Sequence, residues 1–176
     1  KNIAKSLGVP IEEGNYLLLI KHPLSSEMED SESQMRITMK GLEEFCASRN
    51  YHVVCIPPNS DPGSQIMRKV IGEYASQGWF HPVSTLTREF FVNVIRNTKA
   101  LVGNSSMGIL EAPHYKLPVV NIGNRQKGRL NAGNVEFVGY NKEEICNAIE
   151  EACCNKEYRK SVSEIKNPYG DGNAAV

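Results

Sequence analysis

The chain has 176 residues, room for a single domain with a substantial core. Its 20 Lys and Arg are matched by 20 Asp and Glu, so net charge is zero and neither nucleic acid nor an anionic membrane is implied as a partner. Five cysteines, an odd number without a C-x-x-C pair, suggest neither a zinc site nor a disulfide framework and fit reduced thiols in a cytoplasmic protein.

Residues 1–14, with Gly8, Pro10 and Gly14, read as a lead-in or linker, and residues 15–176 as one domain. Tyr16-Leu17-Leu18-Leu19-Ile20 is a continuous apolar run, the mark of a parallel strand buried on both faces. It stops at Lys21-His22-Pro23, where proline forbids further pairing. Acidic residues 27–32 read as a solvated turn. Met35, Ile37, Met39, Leu42 and Phe45 predict an amphipathic helix over 33–48. A second strand spans His52–Ile56, and a helix covers 63–77 with Ile66, Val70 and Ile71 facing inward. Residues 78–81 form a short strand, and 87–98 a helix carrying Phe90, Phe91, Val94 and Ile95.

Next comes Ala100–Glu111, read as a buried strand, a tight turn on Gly103-Asn104 and a helix opened by Ser105 and Ser106 that runs to about Tyr115. Such a turn presents free backbone N–H groups and the positive end of a helix, which suit a phosphate. One serine would cap the helix and the other would donate to a phosphate oxygen. Glu111 would lie roughly 7.5 Å beyond Ser106, about the reach from a diphosphate to a ribose. Gly108, one turn earlier, is expected to leave its carboxylate unobstructed. An ordinary capped helix with a solvated Glu fits the same residues. A strand over 117–122, a loop rich in Gly, Asn and Arg over 123–133, a strand over 135–138 and helices over 142–154 and 157–164 complete the chain.

Strands alternating with helices predict an α/β fold, a Rossmann-like doubly wound parallel sheet. Ligands of such sheets sit at the carboxyl ends of the strands. Those ends carry Lys21 and His22, Asn59 and Asp61, Ser84 and Thr85, Ser105, Ser106 and Glu111, then Asn121, Arg125, Gln126 and Arg129. This is the layout of a cleft. Two arginines in a glycine-rich loop suit phosphate oxygens, although they also fit a solvated surface. His22 is either a ligand-directed group or a strand-end histidine bonded to a neighbouring loop. His52, His81 and His114 lack metal-ligand spacing, and no metal or cofactor is expected. The glycine fingerprint for dinucleotides and the Walker lysine loop are absent.

In order and spacing, four stretches together resemble the UDP-N-acetylglucosamine 2-epimerases. They are Gly103-Asn104-Ser105-Ser106 with Glu111, Pro118 to Arg129, Gly133-Asn134-Val135, and Asn167 to Asn173. The resemblance runs from about Tyr16 to the end and looks like the C-terminal half of a two-domain, GT-B-like epimerase fold. Lys21-His22-Pro23 and Gly123-Asn124-Arg125-Gln126 replace the His-Arg-x-Glu-Asn and Thr-Glu-Arg-Pro stretches of the non-hydrolysing branch, leaning toward the hydrolysing one.

The resemblance implies a UDP-sugar held between two domains. Ser105 and Ser106 would take the diphosphate, Glu111 the ribose and backbone near Thr85 the uracil. His22 and Arg125 would face phosphate and sugar, with Asn59 and Gln126 also lining the substrate site and His22 acting in catalysis. The implied reaction eliminates UDP from UDP-N-acetylglucosamine to leave a glycal, then adds water to give N-acetylmannosamine for sialic-acid-type sugars. Its acid and base carboxylates would come from an N-terminal domain, so the chain is expected to be an inactive fragment of a longer, homo-oligomeric enzyme. Alternatives are a non-hydrolysing epimerase, an epimerase of a di-N-acetylated UDP-sugar, and a UDP-sugar glycosyltransferase domain. The tail from about Ile165 is expected to be poorly ordered or to borrow contacts from a neighbouring molecule, not from its own domain.

Overall fold

The computed structural model describes residues 8–83 and 86–170. β1 (Tyr16–Ile20) is fully buried along its length, as its five apolar side chains require of a strand covered on both faces. It lies at the centre of one six-stranded sheet with β2 (His52–Ile56), β3 (Phe80–Pro82), β4 (Ala100–Gly103), β5 (Val119–Ile122) and β6 (Val135–Val138). The order is 3-2-1-4-5-6, and every pair is parallel.

Strand alternation divides the core in two. Leu17, Leu19, Val53, Cys55, Val102 and Val120 face α1 (Ser31–Ser48), α2 (Ser64–Tyr74) and α5 (Lys142–Cys154). Tyr16, Leu18, Val54, Leu101 and Val119 face α3 (Arg88–Asn97) and α4 (Met107–Leu110). Each fully buried Leu, Ile or Phe in these layers contributes about 1.5–3 kcal/mol. Tyr16 buries its hydroxyl too, and satisfies it by donating to the Val94 carbonyl at 2.6 Å. The last helix among the described residues, α6 (Lys156–Glu164), is capped by Asn155, whose side chain accepts from the amides of Glu157 and Tyr158.

Several local expectations change. Ile66 is 40% exposed, because Met67 is the residue of its turn that faces the sheet. The acidic stretch is a 3₁₀ turn, Ser25–Asp30, whose Glu27 is half-buried and accepts from Gln34 Nε2 at 2.8 Å. The helix expected to reach Tyr115 breaks at Glu111, and a 3₁₀ turn with Pro113 near its start covers Ala112–Tyr115.

Residues 165–170 are tied to their own domain, contrary to expectation. Lys116 Nζ donates to the Ile165 carbonyl, Asn167 Nδ2 to Leu110 O at 3.0 Å and the Tyr169 hydroxyl to Leu130 O at 2.8 Å. The rest of that tail lies outside the described residues. Among the described residues no helix is long and apolar enough to cross a membrane.

Candidate functional site

β1 and β4 are adjacent in the sheet, yet the chain continues from β1 to β2 on one side and from β4 to β5 on the other. The crossovers therefore diverge, and a crevice opens at the carboxyl ends of these two strands. Gly103 ends β4 at φ 132°, and a Cβ there would fall 2.0 Å from the Ile20 carbonyl oxygen. Only glycine allows the two strand ends to come this close.

Asn104, next in the chain and buried, organises the crevice. Its amide donates to Ile20 O at 3.1 Å. Its side chain accepts from the His22 amide at 2.7 Å and donates to the His22 carbonyl at 2.8 Å. Its own carbonyl accepts from Arg125 Nη1 and from Gln126 Nε2, both at 3.1 Å. Arg129 Nη1 completes the set by donating to Gln126 Oε1 at 2.8 Å. His22, Arg125 and Gln126, from the ends of β1 and β5, are thus gathered on the turn after β4.

Ser105 and Ser106 follow directly. Ser105 Oγ accepts from the Met107 amide at 3.3 Å, so Ser105 takes the capping role, while Ser106 makes no side-chain cap bond. The amides of Ser105 and Ser106 have no acceptor among the described residues. Glu111 is exposed at the break between α4 and the 3₁₀ turn, and its carboxylate has no hydrogen-bond partner among the described residues. Gly108 does not clear a path for it. A Cβ at Gly108 would meet Val119 Cγ1 at 2.8 Å, so this glycine faces the sheet and lets α4 lie against β5.

Burial, then the Arg125 cation and more weakly Lys21, hold the His22 imidazole below its ordinary 6.5, with Asp61 opposing. Its Nδ1 is buried without a partner among the described residues. Asn59 lies elsewhere, in a cleft of about 390 Å³ shared with Ile56, Val83, Leu86 and Phe91. Thr85 lies outside the described residues, and Val83 and Leu86 on either side of it line that cleft. No group of three or more metal-ligating side chains occurs among the described residues.

The sequence reading places Lys21 at the end of β1 but not its burial, and it misses Tyr140. Lys21 is 2% exposed, and burial pulls its amine down to about 7, partly offset by Glu27. Its Nζ lies 3.5 Å from the Tyr140 hydroxyl and 4.7 Å from the ring centroid. A lysine directly after a fully apolar strand was the available signal. Its partner is 119 residues away, so nothing local announces the pairing.

An all-parallel sheet in this order, with a crevice at its switch point, defines a Rossmann-like domain. The chain belongs to the UDP-N-acetylglucosamine 2-epimerase family, whose profile matches residues 1–176. It is 32% identical over 158 residues to the UDP-N,N'-diacetylbacillosamine 2-epimerase (hydrolyzing) of Legionella pneumophila, covering 90% of this chain and 40% of that protein. To the UDP-N-acetylglucosamine 2-epimerase of Neisseria meningitidis it is 29% identical over 153 residues, covering 87% of this chain and 39% of the relative. The chain thus spans about 40% of the length of these curated relatives. The crystal structure of a Neisseria meningitidis UDP-GlcNAc 2-epimerase bound to UDP-GlcNAc superposes with TM-score 0.75 at 18% identity. That match covers 97% of this chain and 45% of the other, a likeness of fold.

Proposed function

We propose that this chain is the nucleotide-binding domain of a hydrolysing UDP-N-acetylglucosamine 2-epimerase, releasing N-acetylmannosamine and UDP for sialic-acid-type sugar synthesis. The observation that carries this reading is the pair of Ser105 and Ser106 amides, without an acceptor among the described residues, beside the Asn104 turn that gathers His22, Arg125 and Gln126. The amides and the Ser106 hydroxyl would hold the diphosphate, and Glu111 would reach the ribose. The cleft of Asn59, Val83 and Leu86 would take the base near Thr85.

In the reaction a base removes the proton from C2 while the C1–O bond breaks, and UDP leaves with the electron pair. Water then adds its hydroxyl to C1, and an acid returns a proton to C2 on the opposite face. The Arg125 guanidinium and the two amides would offset the charge of the leaving diphosphate. His22, its basicity lowered by burial and by Arg125, would accept a proton as that charge arrives. The carboxylates that act at C2 belong, on this reading, to another domain, so the isolated chain binds UDP and turns nothing over.

Lys21-His22-Pro23, Asn124-Arg125-Gln126 and the hydrolysing Legionella relative favour the hydrolysing branch. A second reading takes a di-N-acetylated UDP-sugar as substrate, because that relative, at 32%, is more alike than the Neisseria protein at 29%. Titration calorimetry of the chain with UDP tests the binding site. Glu111→Ala is expected to lose about 1–3 kcal/mol of affinity, and equal affinity in both proteins would remove Glu111 from it. The full-length protein given each UDP-sugar in turn, with free sugar followed by NMR, tests the activity and its substrate. Formation of an epimeric UDP-sugar instead of free sugar would overturn the hydrolysing assignment.

A further inference from the structure

We propose that Lys21 is a positioning residue: with Glu27 and Tyr140 it holds the Gly123–Arg129 segment, and so Arg125 and Gln126, against the end of β1. The segment is gripped from two sides. In front, Arg125 and Gln126 both donate to the Asn104 carbonyl. Behind, three groups from separate parts of the chain converge. The Lys21 ammonium sits over the Tyr140 ring, 4.7 Å from its centroid, and 3.5 Å from its hydroxyl. Tyr140 is pressed against the start of the segment, since a Cβ on Gly123 would fall 2.2 Å from the Tyr140 hydroxyl oxygen. Glu27 accepts from Asn124 Nδ2 at 3.2 Å and from Gln34 Nε2 at 2.8 Å. Its carboxylate also acts on both Lys21 and Tyr140.

An apolar side chain would fill the end of a buried strand without desolvating a cation, so the lysine costs stability at this position. What it supplies is attraction across three segments: a cation against the ring face and against Glu27. The charged and titratable groups about it are Glu27 from the turn after β1, Tyr140 from the loop before α5, and His22 from its own segment. What the segment is held for rests on the UDP-sugar reading. That Lys21 holds it does not.

Hydrogen exchange of the nucleotide-free chain, read on a peptide covering residues 123–129, tests this, with Lys21→Met, Lys21→Arg and Tyr140→Phe as variants. In Lys21→Met, exchange in that peptide is expected to quicken about tenfold, the loss of one favourable charged contact, while the global unfolding midpoint holds or rises. Lys21→Arg keeps the charge and is expected to restore most of the protection. Tyr140→Phe, which keeps the ring and loses only the hydroxyl, is expected to fall between and serves alone if Lys21→Met does not fold. Wild-type protection, corrected for intrinsic rates, is expected to decline as pH rises through neutrality and to stay flat in Lys21→Met. Unchanged protection in both Lys21→Met and Tyr140→Phe, or uniform loosening of the whole domain, would overturn the proposal. A chain that shows the local loosening yet binds no UDP would sink the proposed function and leave the role of Lys21 standing.

Discussion

Asn104 clasps the peptide of His22 from both ends, accepting its N–H at 2.7 Å and donating to its C=O at 2.8 Å. The two residues are 82 positions apart and end the two strands that flank the switch point. A backbone donor and acceptor left over where β1 stops are thereby satisfied by one side chain, as a buried strand end requires. The clasp fixes the His22 main chain, and with it the point from which the imidazole projects.

Replacing Asn104 by Ala removes both bonds and leaves the His22 peptide unsatisfied. A loss of about 1–3 kcal/mol is expected, measurable as a lowered midpoint in urea. Asn104→Asp keeps the acceptor but turns a buried carboxylate oxygen on the His22 carbonyl, and its cost is expected to be at least as large. A variant as stable as the parent would show that solvent replaces the clasp.

Gly103→Ala and Gly128→Ala separate backbone conformation from close approach. Both glycines have positive φ, 132° and 80°, but a Cβ at Gly128 meets nothing within 4 Å whereas one at Gly103 meets Ile20 O at 2.0 Å. Gly128→Ala is expected to cost about 1–2 kcal/mol. Gly103→Ala is expected to cost on the order of 4 kcal/mol or more, or to abolish folding. Equal costs, read by denaturant unfolding, would mean that the strand ends part easily.

Lys21 makes stability depend on pH with a defined sign. Its amine titrates near 10.5 when unfolded and near 7 when buried. Between these values the unfolded chain binds a proton that the folded chain does not, so stability rises with pH across that window. Below pH 7 the burial penalty is present in full, and above 10.5 it is gone. Lys21→Met is expected to flatten the rise and to gain on the order of a few kcal/mol at pH 7. Urea melts from pH 6 to 10 check it.

His22 supplies a proton-linked signature of nucleotide binding. Burial and Arg125 hold its imidazole below the ordinary value, and a bound diphosphate would shift it back upward. UDP binding is therefore expected to take up protons on the acid side of neutrality and to tighten as pH falls there. Calorimetry in buffers of different ionisation enthalpy reads the uptake. His22→Gln is expected to abolish it, while in the full-length enzyme turnover falls far more than UDP affinity.

The scaffold was legible wherever one layer of chemistry decided it. Tyr16–Ile20 is apolar at every position and could be only a strand covered on both faces, and Val135–Val138 and Lys142–Cys154 have the bounds their patterns predict. The turn on Gly103-Asn104 was legible as a bend with donors at its end, and Ser105 and Ser106 do follow it. The side-chain work of Asn104 was not, because an Asn reads as turn-former until a partner 82 residues away is known. Pro113 should have warned that the helix after Ser106 could not run through to Tyr115. Gly108 and Ile66 were assigned their directions from a regular helix, and the packing against β5 and the set of the α2 helix decided otherwise. Glu27 and Lys21 look solvated in isolation. Their burial follows from Tyr140, far along the chain.

The donors on offer at the turn after β4 include main-chain atoms, the amides of Ser105 and Ser106, which have no acceptor among the described residues. A change of side chain does not delete them. The crevice therefore has a floor that substitution leaves in place and a rim, on the loops after β2, β3 and β5, that substitution rewrites at will. On the UDP-sugar reading, an engineer seeking a different sugar would begin with the rim, around Arg125, and could expect those two amides to outlast many failed designs.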